Sequence, residues 1–183
     1  GFEADDIIAT ITKKCSSEDL EICIVTGDKD ALQLVNERVK VYSPHSKEVF
    51  IYDAGKVKEK FGVEPQKMVE LMSLMGDSSD NISGVTGIGP KTAVKLIEEF
   101  STLENLLNNL DNVKREPVRE LLTQGIEQAR LSYELATLDY NVPVDIDLDK
   151  MRVGNPDNEM LYKLFKELEF KGMLKNFASS PDS

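Results

Sequence analysis

The sequence predicts an α/β chain whose first third builds a small, partly parallel sheet and whose remainder is mostly helical. Three observations predict it. Ile22, Cys23, Ile24 and Val25 form a continuous apolar run that closes on Thr26, Gly27 and Asp28, the pattern of a parallel strand covered by helices on both faces. Residues 39–42 and 49–52 are two short runs of strand-forming residues joined around Pro44, which predicts a hairpin-like excursion. From Asp53 onward, apolar residues recur at helical spacing between turn residues.

Each element carries its own signal. Residues 3–14 read as a helix with acids at its positive N-terminal end and an apolar stripe of Ile7, Ile8 and Ile11. It feeds the strand at 22–25. Asp53 caps a helix to Phe61, and Glu64 with Pro65 opens another that runs through Met75. Residues 91–100 form a helix behind a glycine-rich turn, and further helices are expected near 102–109, 116–125, 126–137 and 157–168. Residues 141–149, with alternating Val142, Val144, Ile146 and Leu148, are expected to be extended. A polar tail follows at 178–183. The division expected is an α/β part at 1–70 and a helical part at 71–183.

Composition narrows the function. At 183 residues with 40% hydrophobic and 30% charged, the chain can bury an ordinary core as one domain or two small lobes. It carries no long apolar run, signal peptide or transit segment, so a cytosolic protein is expected. Cys15 and Cys23 lack CxxC spacing and His45 is the only histidine, which excludes a Cys/His zinc site built from this chain alone. Any metal here needs oxygen ligands. The net charge of −11 runs against a polyanionic partner, since phosphate contacts come from clustered Lys and Arg and neither half of the chain is basic. Divalent cations at the acidic clusters would offset part of it.

Seven acids fall in three clusters: Glu3, Asp5 and Asp6; Asp28 and Asp30; Asp77 and Asp80. Asp28 and Asp30 follow the strand directly, at the carboxyl end of a parallel sheet where open α/β folds build their sites. They also suit the cap and first turn of a helix running through Leu32. Three acids in four positions repel one another, which is tolerable at an exposed helix N-terminus or around Mg²⁺ or Mn²⁺. Asp77 and Asp80 lie in a Gly/Ser/Asn-rich loop where turn chemistry alone accounts for each of them. All seven together argue for a cation.

The third cluster runs straight into Gly84, Val85, Gly87, Ile88 and Gly89, and then into a helix that opens at Pro90 or Lys91. Glycines allow backbone N–H groups to approach a phosphate oxygen, the helix end adds favourable potential, and Lys91 and Lys95 supply charge. Such a grip reads no base sequence. The same glycines could serve a plain helical hairpin with Val85 and Ile88 packed inward.

The segments GFEADDIIAT, TGDKDALQL, LMGDSSDNISGVTGIGPKTAVKLI and LEFKGML resemble, in order and spacing, the 5′-nuclease family, in particular the 5′ to 3′ exonuclease domain of bacterial DNA polymerase I. The resemblance covers essentially the whole chain. It implies a PIN-like nuclease core with a partial parallel sheet, followed by a helix-hairpin-helix region. Glu3, Asp5 and Asp6 would help hold a first Mg²⁺ or Mn²⁺, and Asp28, Asp30, Asp77 and Asp80 a second, with Asp5, Asp6, Asp28 and Asp30 at the catalytic centre. Gly84, Val85, Gly87, Ile88, Gly89, Lys91, Thr92 and Lys95 would grip the duplex backbone, with K⁺ expected on the hairpin carbonyls.

The implied activity is two-metal phosphodiester hydrolysis on DNA bearing a 5′ flap, nick or 5′ end, in replication and repair, the metals standing about 4 Å apart. The alternative is a non-catalytic helix-hairpin-helix module that binds DNA. The family's domain also has a segment ahead of the GFEADD motif, with a first strand, further metal-binding aspartates and a basic helical arch. By that comparison the chain looks like the C-terminal part of the domain, beside a separate N-terminal segment and a polymerase, and is expected to cleave poorly by itself.

Overall fold

A computed structural model describes residues 1–16, 19–45 and 48–175; the polar tail expected at 178–183 lies outside the described residues. The chain divides into two compact units, residues 1–144 and 145–183. In the first unit the elements run α1 (Ala4–Cys15), β1 (Ile22–Val25), a 3-10 turn (Asp30–Leu34), β2 (Val39–His45), β3 (Glu48–Tyr52), α2 (Ala54–Phe61), a 3-10 turn (Pro65–Lys67), α3 (Met68–Met75), α4 (Pro90–Phe100), α5 (Leu103–Asn108), a 3-10 turn (Leu110–Asn112), α6 (Glu116–Gln124) and α7 (Ile126–Ala136). The second unit carries α8 (Asn158–Glu167) and α9 (Lys171–Leu174). Among the described residues no helix is long and apolar enough to cross a membrane.

The sheet is mixed. β1 pairs in parallel with β2, Ile22 opposite Val39 and Val25 opposite Tyr42, and β2 pairs antiparallel with β3, Val41 opposite Tyr52. The expected excursion around Pro44 is therefore the β2–β3 hairpin. The expectation that both faces of β1 are covered is corrected: Ile24 is buried, but Val25 is 66% exposed and Cys23 also faces solvent. Among the described residues β1 is an edge strand, so its apolar run exceeds what this chain buries.

Helix α1 also differs in the face it buries. Ala9, Thr10, Thr12 and Cys15 face inward, while Ile7 is exposed and Ile8 and Ile11 are half-buried. Its tie explains this choice. Thr10 Oγ1 donates to the Asp139 carbonyl and accepts from the Val142 N–H, so the polar side of α1 seats the 138–144 segment. Side chains accept from the N–H groups of Leu138, Asp139, Asn141 and Val142, and the stretch expected to be extended at 141–149 forms no strand and enters a turn at 148.

Helix α3 is the framework. Every residue from Met68 to Leu74 is buried, and the helix packs on α4, α7 and the Asp30–Leu34 turn. A helix apolar on all sides belongs inside a core, where each buried Leu or Met contributes roughly 1.5–3 kcal/mol. The one acid on it, Glu70, is compensated by Lys67 at 3.2 Å. Because α3 cannot shift without breaking this packing, the loop that leaves its C-terminus is held in place.

Candidate metal centre and glycine hairpin

Two turns present the carboxylates. After β1, the Thr26 N–H continues the sheet by donating to the Tyr42 carbonyl, and Thr26 Oγ1 accepts from the Asp28 N–H. Asp28 Oδ1 in turn accepts from the Asp30 N–H at 3.0 Å, and a 3-10 turn begins at Asp30. The Thr26 and Asp28 side chains each accept from the N–H two residues on, which sets both acids at the strand's carboxyl end.

The second turn leaves α3. Asp77 and Ile82 exchange both backbone hydrogen bonds at 2.8 Å, and Asp77 Oδ1 accepts from the Ser79 N–H. Asn81, with φ of 56°, takes the left-handed conformation that its short amide tolerates. Closing the loop this way turns Asp80 toward the first turn.

One oxygen from each of Asp28, Asp30 and Asp80 lies within 4.8 Å of the others. Asp30 is 9% exposed, and its Oδ1 is buried without a hydrogen-bond partner. Burial, then the charges of Asp28 and Asp80, push its pKa up to about 7. Asp80 is raised by burial and by Asp28 and Asp77. An orphaned carboxylate oxygen facing two other carboxylates is an arrangement a cation relieves. A set made only of carboxylate oxygens suits a hard divalent ion.

The other four acids stand differently. Asp5 is raised by burial and then by Asp28, with Glu3, Asp6 and Asp80 adding to it, so the first cluster does converge on the second and third. Asp6 is already engaged: Oδ2 accepts from the Glu3 N–H at 3.0 Å, and Oδ1 accepts from the Asp139 N–H at 2.8 Å. Asp77 is 3% exposed. Burial pushes its carboxyl up, but Lys29 at 2.5 Å and the Ser79 hydrogen bonds outweigh this and hold it below the usual range. Among the described residues, Asp6 and Asp77 already share their oxygens with these partners, which Asp28 Oδ2, Asp30 Oδ1 and Asp80 do not.

The hairpin is held from inside. The Gly84 N–H donates to the buried Ser132 Oγ, the Val85 N–H to the Leu74 carbonyl, and the Ile88 N–H to the Val85 carbonyl. Val85 and Ile88 are buried, so their side chains serve the core and their N–H groups are spent. Among the described residues, the N–H groups of Thr86, Gly87, Gly89 and Lys91, all four exposed residues, have no acceptor. Thr92 and Ala93 both donate back to the Gly89 carbonyl, while Lys91 and Lys95 stand exposed.

Hairpin and carboxylate loop meet at two glycines. A Cβ on Gly84 would lie 2.2 Å from the Gly76 nitrogen, and one on Gly76 would lie 2.7 Å from the Ile82 carbonyl oxygen. Both have positive φ, +60° and +78°. Sequence reasoning missed Gly76, Ser132 and Lys29; the last sits between two acids in GDKDA, which is the signal for an internal counter-ion.

An acidic, all-oxygen centre at the end of a parallel strand pair, welded to a backbone-presenting hairpin, defines a class of α/β protein with phosphate-handling geometry. A family model for the 5′-3′ exonuclease, C-terminal SAM fold, matches residues 63–159, and one for the 5′-3′ exonuclease, N-terminal resolvase-like domain, matches residues 1–62. The chain belongs to the 5′-3′ exonuclease family. It is 44% identical over 177 residues to the thermostable DNA polymerase I of Thermus thermophilus, covering 97% of this chain and 21% of that protein. It is 38% identical to the 5′-3′ exonuclease of Aquifex aeolicus, covering 96% of this chain and 58% of that protein.

Among solved structures, the bacteriophage T5 5′-exonuclease with bound divalent zinc superimposes with a TM-score of 0.69 at 26% identity, over 76% of this chain and 51% of that one. The catalytic core of Rad2 in complex with a DNA substrate gives 0.58 at 26% identity, over 90% and 57%. The chain thus spans about a fifth of the polymerase I relatives it matches.

Proposed function

We propose that the chain is the metal-holding and duplex-gripping part of a 5′ to 3′ exonuclease and flap endonuclease acting in DNA replication and repair in the bacterial cytoplasm. The observation that carries the reading is the convergence of Asp28, Asp30 and Asp80 within 4.8 Å around a buried oxygen with no partner. These three would hold a divalent ion, Mg²⁺ or Mn²⁺, with Glu3 and Asp5 close enough to add to the field and to a second ion. Bound there, such an ion supplies Lewis acidity toward a phosphodiester.

The chain's own residues do the rest. Thr86, Gly87, Gly89 and Lys91 offer their N–H groups to the backbone of a duplex carrying a 5′ flap, nick or 5′ end, and Lys91 and Lys95 add charge. Gly84, Val85 and Ile88 act from behind by fixing the turn, and Thr92 closes the first turn of α4. The weld at Gly76 and Gly84 fixes the spacing between gripped backbone and carboxylates. In this division of labour residues 1–70 supply most of the acids, and residues 71–183 supply Asp77, Asp80 and the grip. K⁺ on the hairpin carbonyls belongs to the same reading, checked by comparing DNA affinity in K⁺ with that in Na⁺.

Asp28→Ala combined with Asp80→Ala tests the whole. Mn²⁺ binding is expected to be lost, affinity for a 5′-flap duplex retained, and any Mg²⁺-dependent cleavage of the flap strand abolished. Unchanged Mn²⁺ binding would favour the non-catalytic DNA-binding module instead.

A further inference from the structure

We propose that the cavity of about 340 Å³ beside the carboxylate cluster, lined by Lys29, Tyr52, Lys60, Phe61 and Ser79, binds the phosphate of the nucleotide next to the phosphodiester being cleaved. The proposal deepens the nuclease reading and rests on it. The volume falls in the range of small-ligand sites, roughly 300–1,000 Å³. Asp28 belongs both to this cavity and to the carboxylate cluster, so an occupant abuts the candidate cation.

The lining has the chemistry of an anion receptor. Lys60, in the last turn of α2, donates to the Tyr52 hydroxyl and lies 4.8 Å from the Tyr52 ring centroid and 5.5 Å from that of Phe61. Among the described residues no carboxylate pairs with it, although the chain has 33 acids to 22 bases. Aromatic faces hold an ammonium without quenching its charge, which leaves it able to meet an anion. Because Tyr52 accepts from Lys60, its own hydroxyl proton is available to donate into the cavity. Lys29 brings a second ammonium to the same lining, its side chain 38% exposed and anchored on Asp77. Leu32, Val41 and Phe61 supply an apolar wall suited to a sugar or base.

The test is an amide-resolved NMR titration of the 183-residue chain in Mg²⁺ with thymidine 5′-monophosphate, with thymidine and the dinucleoside TpT as parallel probes. Shifts are expected at Gly27, Lys29, Phe61 and Ser79 with the monophosphate and not with thymidine. Response to TpT as well marks an internal phosphodiester as the natural occupant; response to the monophosphate alone marks a terminal phosphate. Lys60→Met, which keeps the stem, is expected to weaken binding about tenfold, and Tyr52→Phe about threefold, with melting temperature held and Mn²⁺ affinity within twofold of wild type.

Binding unchanged in Lys60→Met, or shifts confined to the hairpin, would overturn the proposal. The two readings fail separately. A chain that binds Mn²⁺ at the carboxylates but shows no Lys60-dependent shifts defeats the cavity alone, whereas Lys60-dependent shifts without Mn²⁺ binding defeat the metal reading and keep the phosphate site.

Discussion

The carboxylate turns and the glycine hairpin adjoin at Gly76 and Gly84, yet they are built on opposite terms. In the hairpin, the inward N–H groups have acceptors, the apolar side chains are buried, and the N–H groups without acceptors belong to exposed residues. It is finished without a ligand. The carboxylate turns are closed by side-chain and backbone hydrogen bonds at Asp28, Asp30, Asp77 and Ser79 but have conflicting side chains: Asp28, Asp30 and Asp80 crowd together, and Asp30 Oδ1 is buried and alone. Shape is stored in the one and charge in the other, so substitutions should damage fold in the first and cation affinity in the second.

The largest expected effect tests the shape side. Gly84→Ala places a methyl against the Gly76 backbone at a φ of +60°, and should cost roughly 3–5 kcal/mol in urea unfolding, enough to lose the native state of a marginal domain. Wild-type stability in that variant would mean the two loops are not welded.

Next comes the charge side. Asp30→Asn should weaken Mn²⁺ binding about a hundredfold, yet raise the melting temperature of the metal-free chain at pH 8, because it removes a charge that burial and like neighbours disfavour. The sign of the pH effect follows. With the folded pKa lifted from 3.8 to about 7, the folded state holds a proton that the unfolded state has lost, so metal-free stability should fall as pH rises from about 4 to about 7 and level off above. Saturating Mg²⁺ should flatten that fall, and Asp30→Asn should reduce it to the part carried by Asp5 and Asp80, whose carboxyls are also raised.

A smaller effect separates the regions functionally. Lys91→Ala with Lys95→Ala should lower duplex affinity about tenfold and reduce the slope of log affinity against log salt by about two, without altering Mn²⁺ binding. The smallest is Asp6→Ala. Loss of its hydrogen bonds to the Glu3 and Asp139 N–H groups should cost about 1–2 kcal/mol, with Mn²⁺ affinity changed less than threefold. A large loss of metal binding there would move Asp6 into the cation site.

These contrasts also explain what was legible in the sequence. The helices at 54–61, 90–100, 103–108, 116–124, 126–136 and 158–167 follow local caps, prolines and periodicity, which act within a turn or two and survive folding. The buried face of α1 was illegible because Thr10 is chosen by a partner at 139–142, far along the chain. At the site, residue types and spacing picked out the seven acids. Which of them face one another depends on the Lys29–Asp77 pair and on Asp6 binding Asp139, both non-local. Gly76 simply follows the helix expected to run through Met75; its duty appears only where Gly84 packs against it.

Paramagnetic mapping with Mn²⁺ tests the central claim most directly. At substoichiometric Mn²⁺, amide resonances should broaden first around Asp28, Asp30 and Asp80, with the effect lost in Asp30→Asn. Uniform weak broadening, or broadening centred on another acidic stretch such as 145–149, would contradict the account.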